Sequence, residues 1–247
     1  MNLIILAAGT GTRLFPLTKD TPKSLLDLGD GTTLLERQIK NAVVCKSIKK
    51  VYVVTGYRSI QIEERIEQFS SEIPVEIVFN PFYDISNNLL SLWCVNYIME
   101  DRDFVITNGD NIYKTGIYDH ISQGSDPTTQ ITIDRKSSYD DDDMKVLIEE
   151  GHVKRISKEI PLDEAQAESV GLVVVRGEKM RTQFRKKLLS MAQDMDNRNR
   201  FWLEIFNSMI AEGKDIDVCE ISPDDWREID FHPDVEAVKK AVFKKIF

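Results

Sequence analysis

Cysteine, histidine, long apolar runs and positive charge are all scarce in this 247-residue chain, and each scarcity closes a class of function. The three cysteines, Cys45, Cys94 and Cys219, are odd in number and share no Cys-x-x-Cys spacing. A disulfide scaffold or a thiolate metal site needs more, and paired, thiols. The expectation is three reduced, mostly buried thiols in a cytoplasmic protein. The three histidines, His120, His152 and His232, are scattered without a partner at ligand spacing, so no histidine-based metal site or catalysis is expected. The early apolar run Leu3 to Ala8 is far shorter than the ~18 residues of a membrane span. It also lacks the basic flank of a signal peptide. Lysine and arginine number 32 against 41 acidic residues, a net charge of −9. Nucleic-acid binding needs a basic footprint, so no DNA or RNA partner is expected.

Apolar residues make up 42% and charged residues 30%, as in globular chains. The run Leu3 to Ala8, ending in Gly9-Thr10-Gly11-Thr12, predicts a strand buried on both faces. Thr33-Leu34-Leu35-Glu36 has the capping-box pattern, followed by Ile39, Ala42 and Val43 on one helical face. Val51 to Val54, Val75 to Phe79 and Phe104 to Thr107 predict further strands. Helices are expected over Arg58 to Phe69 and from about Leu89 to Met99. This alternation, to about residue 125, predicts an α/β fold with a mixed, mainly parallel sheet flanked by helices. Ligands bind such sheets outside the carboxyl ends of the strands. The loops after Ala8, Thr55, Phe79 and Thr107 should therefore meet in one crevice.

The second half is less regular. Strands are expected at Gln130 to Asp134, Met144 to Ile148, Val153 to Ser157 and Val170 to Val175. Helices are expected over Gly177 to Ala192 and Phe201 to Glu212, then short strands at Ile216 to Ile221 and Trp226 to Ile229. Pro233 opens a final helix. With no linker, residues 1–247 read as one domain: a nucleotide-binding half to about 125 and an acceptor-binding half with a small β subregion from about 126. Asp140-Asp141-Asp142-Asp143 reads as a solvated turn rather than a metal site, because adjacent carboxylates repel and stay in water.

The chemistry concentrates in residues 7–25. Gly9 and Gly11 let the backbone approach a phosphate closely. Arg13 offers a planar fork for phosphate oxygens and Lys23 a point charge behind Pro22. The stretch lacks the third glycine of the dinucleotide fingerprint and the Gly-Lys-Ser/Thr of a P-loop. Ala8-Gly9-x-Gly11-x-Arg13-Leu14-x-Pro16-Leu17-Thr18, with Pro22-Lys23-x-Leu25, resembles the signature loop of the nucleotidyltransferases that make nucleotide-activated sugars and alcohols. Thr55-Gly56-Tyr57, Asn108-Gly109-Asp110 and Trp226-Arg227-Glu228-Ile229-Asp230 extend the resemblance over nearly the whole chain. The segment Ser86-Asn87-Asn88, with Met144-Lys145-Val146 and Ala167-Glu168-Ser169-Val170-Gly171, is similar to the bacterial cytidylyltransferases for phosphocholine, aminoethylphosphonate and inositol phosphate.

The resemblance implies the nucleotide-diphospho-sugar transferase fold. It implies Mg²⁺-dependent transfer of CMP from CTP to a small phosphorylated alcohol or phosphonate, with release of pyrophosphate. Such chemistry serves cell-surface polysaccharide or lipid precursors, with a homodimer as a candidate assembly. A sugar-1-phosphate nucleotidyltransferase using UTP, dTTP or GTP is the alternative. Arg13 would bind the β,γ-phosphates, and Lys23 would stabilise the α-phosphate and the acceptor. Asp110 and Asp230 would hold the metal. Nucleotide contacts are expected from Leu6, Ala7, Ala8, Gly9, Thr10, Gly11, Thr12, Gly56, Tyr57, Ser86, Asn87, Asn88 and Gly109, with Ser86 and Asn87 reading the base, capping the next helix, or both. On the acceptor side the resemblance points to Lys145 and Glu168. A quaternary ammonium would want aromatic faces and a carboxylate. Tyr83, Trp93, Tyr139, Trp202 and Trp226 are suitable in type, and Trp202 with Glu204 is the pair singled out, against a core role.

Overall fold

In the computed structural model, which describes residues 1–247, eleven strands and seven helices build two sheets. The strands are β1 (Asn2–Ala7), β2 (Lys50–Thr55), β3 (Val75–Phe79), β4 (Phe104–Asn108), β5 (Asn111–Tyr113), β6 (Thr128–Asp134), β7 (Lys145–Glu149), β8 (His152–Ser157), β9 (Ala167–Arg176), β10 (Asp217–Glu220) and β11 (Trp226–Glu228). The helices are α1 (Leu34–Val44), α2 (Ser59–Ile66), α3 (Asn88–Cys94), α4 (Ile117–Ile121), α5 (Glu178–Ala192), α6 (Glu204–Ala211) and α7 (His232–Phe243). The main sheet runs β3-β2-β1-β4-β9-β6-β10-β8-β7, and β11 pairs with β5 in a separate ribbon. Strands β3, β2, β1 and β4 are parallel to one another. Strand β9 then enters antiparallel between β4 and β6. The same sheet thus runs through both halves of the chain.

Side-chain alternation along each strand sends residues to opposite faces. Ile4 and Leu6 of β1 join Tyr52, Val54, Phe104 and Ile106 in one core, under α3, α5 and α6. Leu3, Ile5 and Ala7 join Val51, Val53 and Val105 in the other, under α1, α2 and α4. Every residue of β1 is buried, which is why that strand reads as a continuous apolar run. A third, smaller core contains Leu14, Leu26, Leu28, Leu34, Ile112, Ile229 and Val235. It anchors the glycine-containing loop to the β5–β11 ribbon and α7.

Thr33 and Glu36 form the reciprocal capping box at the start of α1, with bonds of 2.8 and 3.3 Å. Several expected elements have different bounds. The helix expected over Arg58–Phe69 starts at Ser59, because Arg58 is left-handed (φ 52°), and it tightens into a 3₁₀ turn after Ile66. The helix expected over Leu89–Met99 breaks at Val95 into α3 and a 3₁₀ turn. Strand β5 and helix α4 were not foreseen, and β5 pairs with the strand that carries Glu228. All three cysteines are free, with Cys45 buried.

Candidate active site

The loops at the carboxyl ends of β1 and β4 open into a cleft of about 460 Å³. Gly11 there has φ 64°, a conformation that disfavours a side chain. A Cβ at this position would also press on Lys23 at 3.1 Å and Thr18 at 3.2 Å. The Thr18 hydroxyl donates to the Gly11 carbonyl at 2.6 Å, and Leu14 is fully buried behind the loop. Arg13 and Lys23 are thereby carried on a braced turn. Leu6, Ala7, Ala8, Gly9, Thr10, Gly11, Thr12, Arg13, Lys23 and Gly109 all line the cleft.

The acidic residues arrive from the ribbon. Gln38 of α1 is buried and donates to the carbonyls of Asn108 (2.9 Å) and Asn111 (2.7 Å), gripping the turn that presents Asp110. Glu228 of β11 pairs in register with Asn111 of β5, and the Ile229 amide donates to the Asp110 carbonyl at 3.1 Å. The carboxylates of Asp110, Glu228 and Asp230 lie within 4.8 Å of one another. The Lys23 ammonium donates to Asp110 at 2.9 Å and to Asp230 at 2.6 Å. Burial opposes that charge, but the two aspartates override it and hold the ammonium well above the usual lysine range. Burial, reinforced by Asp110 and Asp230, pushes Glu228 well above the usual carboxylate range. Glu228 lies inside the motif Trp226 to Asp230, whose spacing alone assigns it no role. Its pairing to Asn111 is the signal that brings it in.

Arg13 lies over the Phe231 ring, 5.5 Å from its centroid, and donates to Asp230 at 3.1 Å and to Asp142 at 3.3 Å. Asp142 also accepts from Lys158 at 2.6 Å. The Asp140–Asp143 stretch was expected to be a solvated turn. Asp140 and Asp141 are exposed, but Asp143 is buried and Asp142 lines the cleft. The correction has a physical cause: Lys136, Lys145, Lys158 and Arg13 supply the counter-charges that let these carboxylates leave water. Lys158 was not singled out from the sequence.

Ser86, Asn87 and Asn88 line the opposite wall. Asn87 also caps α3 through a 2.8 Å bond from the Asn88 amide. Asn88 accepts the Trp202 amide at 2.8 Å. Gly56 and Tyr57 do not line the cleft: a Cβ on Gly56 would sit 2.4 Å from Tyr83, and the Tyr57 amide donates to the Ala8 carbonyl at 3.0 Å. They buttress the loop from behind.

The acceptor-side expectations divide. Glu168 lines the cleft, is buried, and pairs with Lys136. Burial pushes its carboxyl up to about 8 against the pull of Lys136. Lys145 is not brought to the cleft: it is buried and donates to the carbonyls of Asp140 (3.0 Å), Asp141 and Asp143 (both 3.4 Å). Glu204 also lies outside the cleft and accepts from Asn207 at 3.2 Å. Trp202 lines the cleft yet is only 1% exposed, with its indole N–H on the Asn108 side chain at 3.0 Å. Trp226 is buried with its N–H on Asp134 at 2.7 Å. Trp93 and Tyr139 are not in the cleft, whereas Tyr83 and Phe201 are.

Comparison with known proteins adds four results. The sequence profile described as "Nucleotidyl transferase" matches residues 2–143. A 2-aminoethylphosphonate cytidylyltransferase of Lancefieldella rimae is 34% identical over 64% of this chain, and the match spans 61% of that protein, less than two thirds of its length. A CTP:phosphoglutamine cytidylyltransferase of Campylobacter jejuni is 24% identical over 96% of this chain and 98% of its own. The solved CTP:phosphocholine cytidylyltransferase of Streptococcus pneumoniae superposes with a TM-score of 0.79 over 98% of both chains at 23% identity, a likeness of fold.

Proposed function

Because the chain belongs to the nucleotidyl transferase family, we propose that it transfers CMP from CTP to a small phosphate or phosphonate acceptor and releases pyrophosphate. The observation that carries this reading is the convergence of Arg13 and Lys23 with Asp110, Glu228 and Asp230 in one cleft. Cytidine as the base is supported by the two cytidylyltransferase relatives. No helix is long and apolar enough to cross a membrane, and the reading places the reaction in the cytoplasm.

Residues 1–125 would carry the nucleotide and the remainder the acceptor. An acceptor oxygen attacks the α-phosphorus, its P–O bond forms, and the bond to pyrophosphate breaks. The reaction needs no covalent enzyme intermediate, so positioning and charge stabilisation do the work. Arg13 receives the β,γ-phosphates, and Lys23 turns its ammonium from the aspartates to the α-phosphate. Glu168 borders the acceptor. The acidic cluster fits Mg²⁺: the donors are all oxygen, and Asp110 Oδ1 is buried without a hydrogen-bond partner. Asp110, Asp230 and Glu228 would hold the ion, which when bound neutralises charge developing on the phosphates.

The test is pyrophosphate release with Mg²⁺ across CTP, UTP, dTTP and GTP, each against phosphocholine, 2-aminoethylphosphonate, inositol 1-phosphate, glycerol phosphate and glucose 1-phosphate. Turnover confined to CTP supports the reading, and the best acceptor names the class. Turnover confined to UTP, dTTP or GTP with glucose 1-phosphate overturns it in favour of a sugar-phosphate nucleotidyltransferase.

A further inference from the structure

Asp142 sits where an anion would. Its Oδ1 accepts from Lys158 at 2.6 Å and its Oδ2 from Arg13 at 3.3 Å, so one carboxylate bridges two cations that line the cleft. Arg13 comes from the loop after β1, and Lys158 follows β8. Lys158 has no other hydrogen-bond acceptor; its ammonium otherwise lies over the Phe201 ring, 5.9 Å from the centroid. An ammonium has three N–H donors, so two remain to be used.

The turn that presents Asp142 is pinned independently of this bridge. Lys145 binds three of its carbonyls from below, and the Asp140 carboxylate accepts the amides of Asp142 (2.9 Å) and Asp143 (3.1 Å). Lys136 holds Asp143 at 3.1 Å. The backbone is therefore fixed, while the Asp142 side chain, 41% exposed, borders solvent and is held in the cleft only by these two ion pairs. An exposed ion pair of this kind shifts an equilibrium by only roughly two- to fivefold. A polyphosphate, with more charge and more oxygens, can displace it.

Resting on the reading that Arg13 receives the terminal phosphates, we propose that the Asp142 carboxylate is the exchange partner of pyrophosphate. It fills the anion site between Arg13 and Lys158 in the free enzyme, yields to the β,γ-phosphates of the incoming nucleotide, and returns to the two cations as pyrophosphate leaves. Lys158 thereby joins Arg13 as a phosphate-binding cation. Without the returning carboxylate, departing pyrophosphate would leave Lys158 with no counter-charge and Arg13 with Asp230 alone, and would dissociate more slowly.

The test is calorimetric titration of inorganic pyrophosphate into the full chain and its Asp142→Asn, Asp141→Asn, Lys158→Gln and Arg13→Ala variants, with product inhibition measured in parallel. Asp142→Asn should bind pyrophosphate roughly 4- to 25-fold more tightly, from the loss of two competing exposed ion pairs. Its turnover should be inhibited at correspondingly lower pyrophosphate concentration. Asp141→Asn, whose exposed side chain makes neither bond, should match the wild type, and Lys158→Gln and Arg13→Ala should bind more weakly. Unchanged or weaker binding by Asp142→Asn, with binding lost in Arg13→Ala, would overturn the exchange while leaving the phosphate role of Arg13 standing. Undiminished binding by Arg13→Ala would remove that role and the exchange together.

Discussion

Replacing Lys23 by methionine tests the electrostatics of the site most directly. The side chain is 15% exposed and lies between Asp110 and Asp230, themselves 25% and 23% exposed, with Glu228 in the same cluster. Methionine keeps much of the aliphatic stem and removes the only cation bonded to Asp110. Removing one member of a fully buried pair costs about 3–5 kcal/mol. Partial exposure of both carboxylates reduces this to about 2–3 kcal/mol, or roughly 5–10 °C of melting temperature for a chain of this size. The loss should be largest without divalent cation. Adding about 10 mM MgCl₂ should restore most of it, because a cation that binds only the folded state stabilises it by mass action. It should also grow with pH. Lys23 is the cation that holds Glu228 down against burial and the two aspartates, so without it the Glu228 carboxyl rises further above its unfolded value and the folded variant holds a proton that the unfolded chain releases. The variant's stability is then highest in acid and falls as pH rises through the raised value. Urea denaturation at about pH 5 and about pH 8, with and without MgCl₂, measures all three effects. A loss below about 0.5 kcal/mol at pH 8 without metal, or a loss that MgCl₂ leaves unchanged, would refute the reasoning.

Four further outcomes are expected. Asp110→Ala should abolish pyrophosphate release while leaving far-ultraviolet circular dichroism unchanged; normal turnover would remove the metal assignment. Gly11→Ala should lower stability by about 1–2 kcal/mol in denaturant titration, through its positive φ and the contact with Lys23, and should cut activity by misaiming Arg13. Glu168, raised to about 8, contributes stability that is fully present below the ordinary carboxyl range and is lost as pH rises through about 8. Glu168→Gln should therefore gain on the wild type over that window, on the order of 2–3 kcal/mol by its upper end, in urea titrations at stepped pH. Trp202→Phe keeps the buried ring but strands the Asn108 side-chain oxygen, costing about 1 kcal/mol in thermal denaturation.

What was legible in the sequence, and what was not, follows from the range of the forces involved. Strand β1 could be read because burial on both faces imposes an unbroken apolar run, and α1 because its capping box is a local bond between Thr33 and Glu36. The loop carrying Arg13 and Lys23 could be read because its glycine spacing is local too. The dense resemblance of residues 7–25 to a family signature then supplied roles that spacing alone could not. The β5–β11 ribbon was only half visible. Trp226 to Ile229 suggested a strand, but its partner Asn111–Tyr113 is three residues long and has no periodicity to detect. Yet that pairing is what sets Glu228 beside Asp110 and Asp230. The same limit explains Lys145 and Asp142. A lysine in a β segment and a run of four aspartates look like surface features, because the compensating partners are distant in sequence or are backbone carbonyls. Once Lys145 caps the turn from below and Arg13 and Lys158 meet it from the cleft, the run no longer behaves as four equivalent carboxylates. Asp143 is buried against Lys136, Asp140 ties the turn, Asp141 faces solvent, and Asp142 alone is presented to the two cations. Identical residues thus acquire different chemistry from their counter-charges.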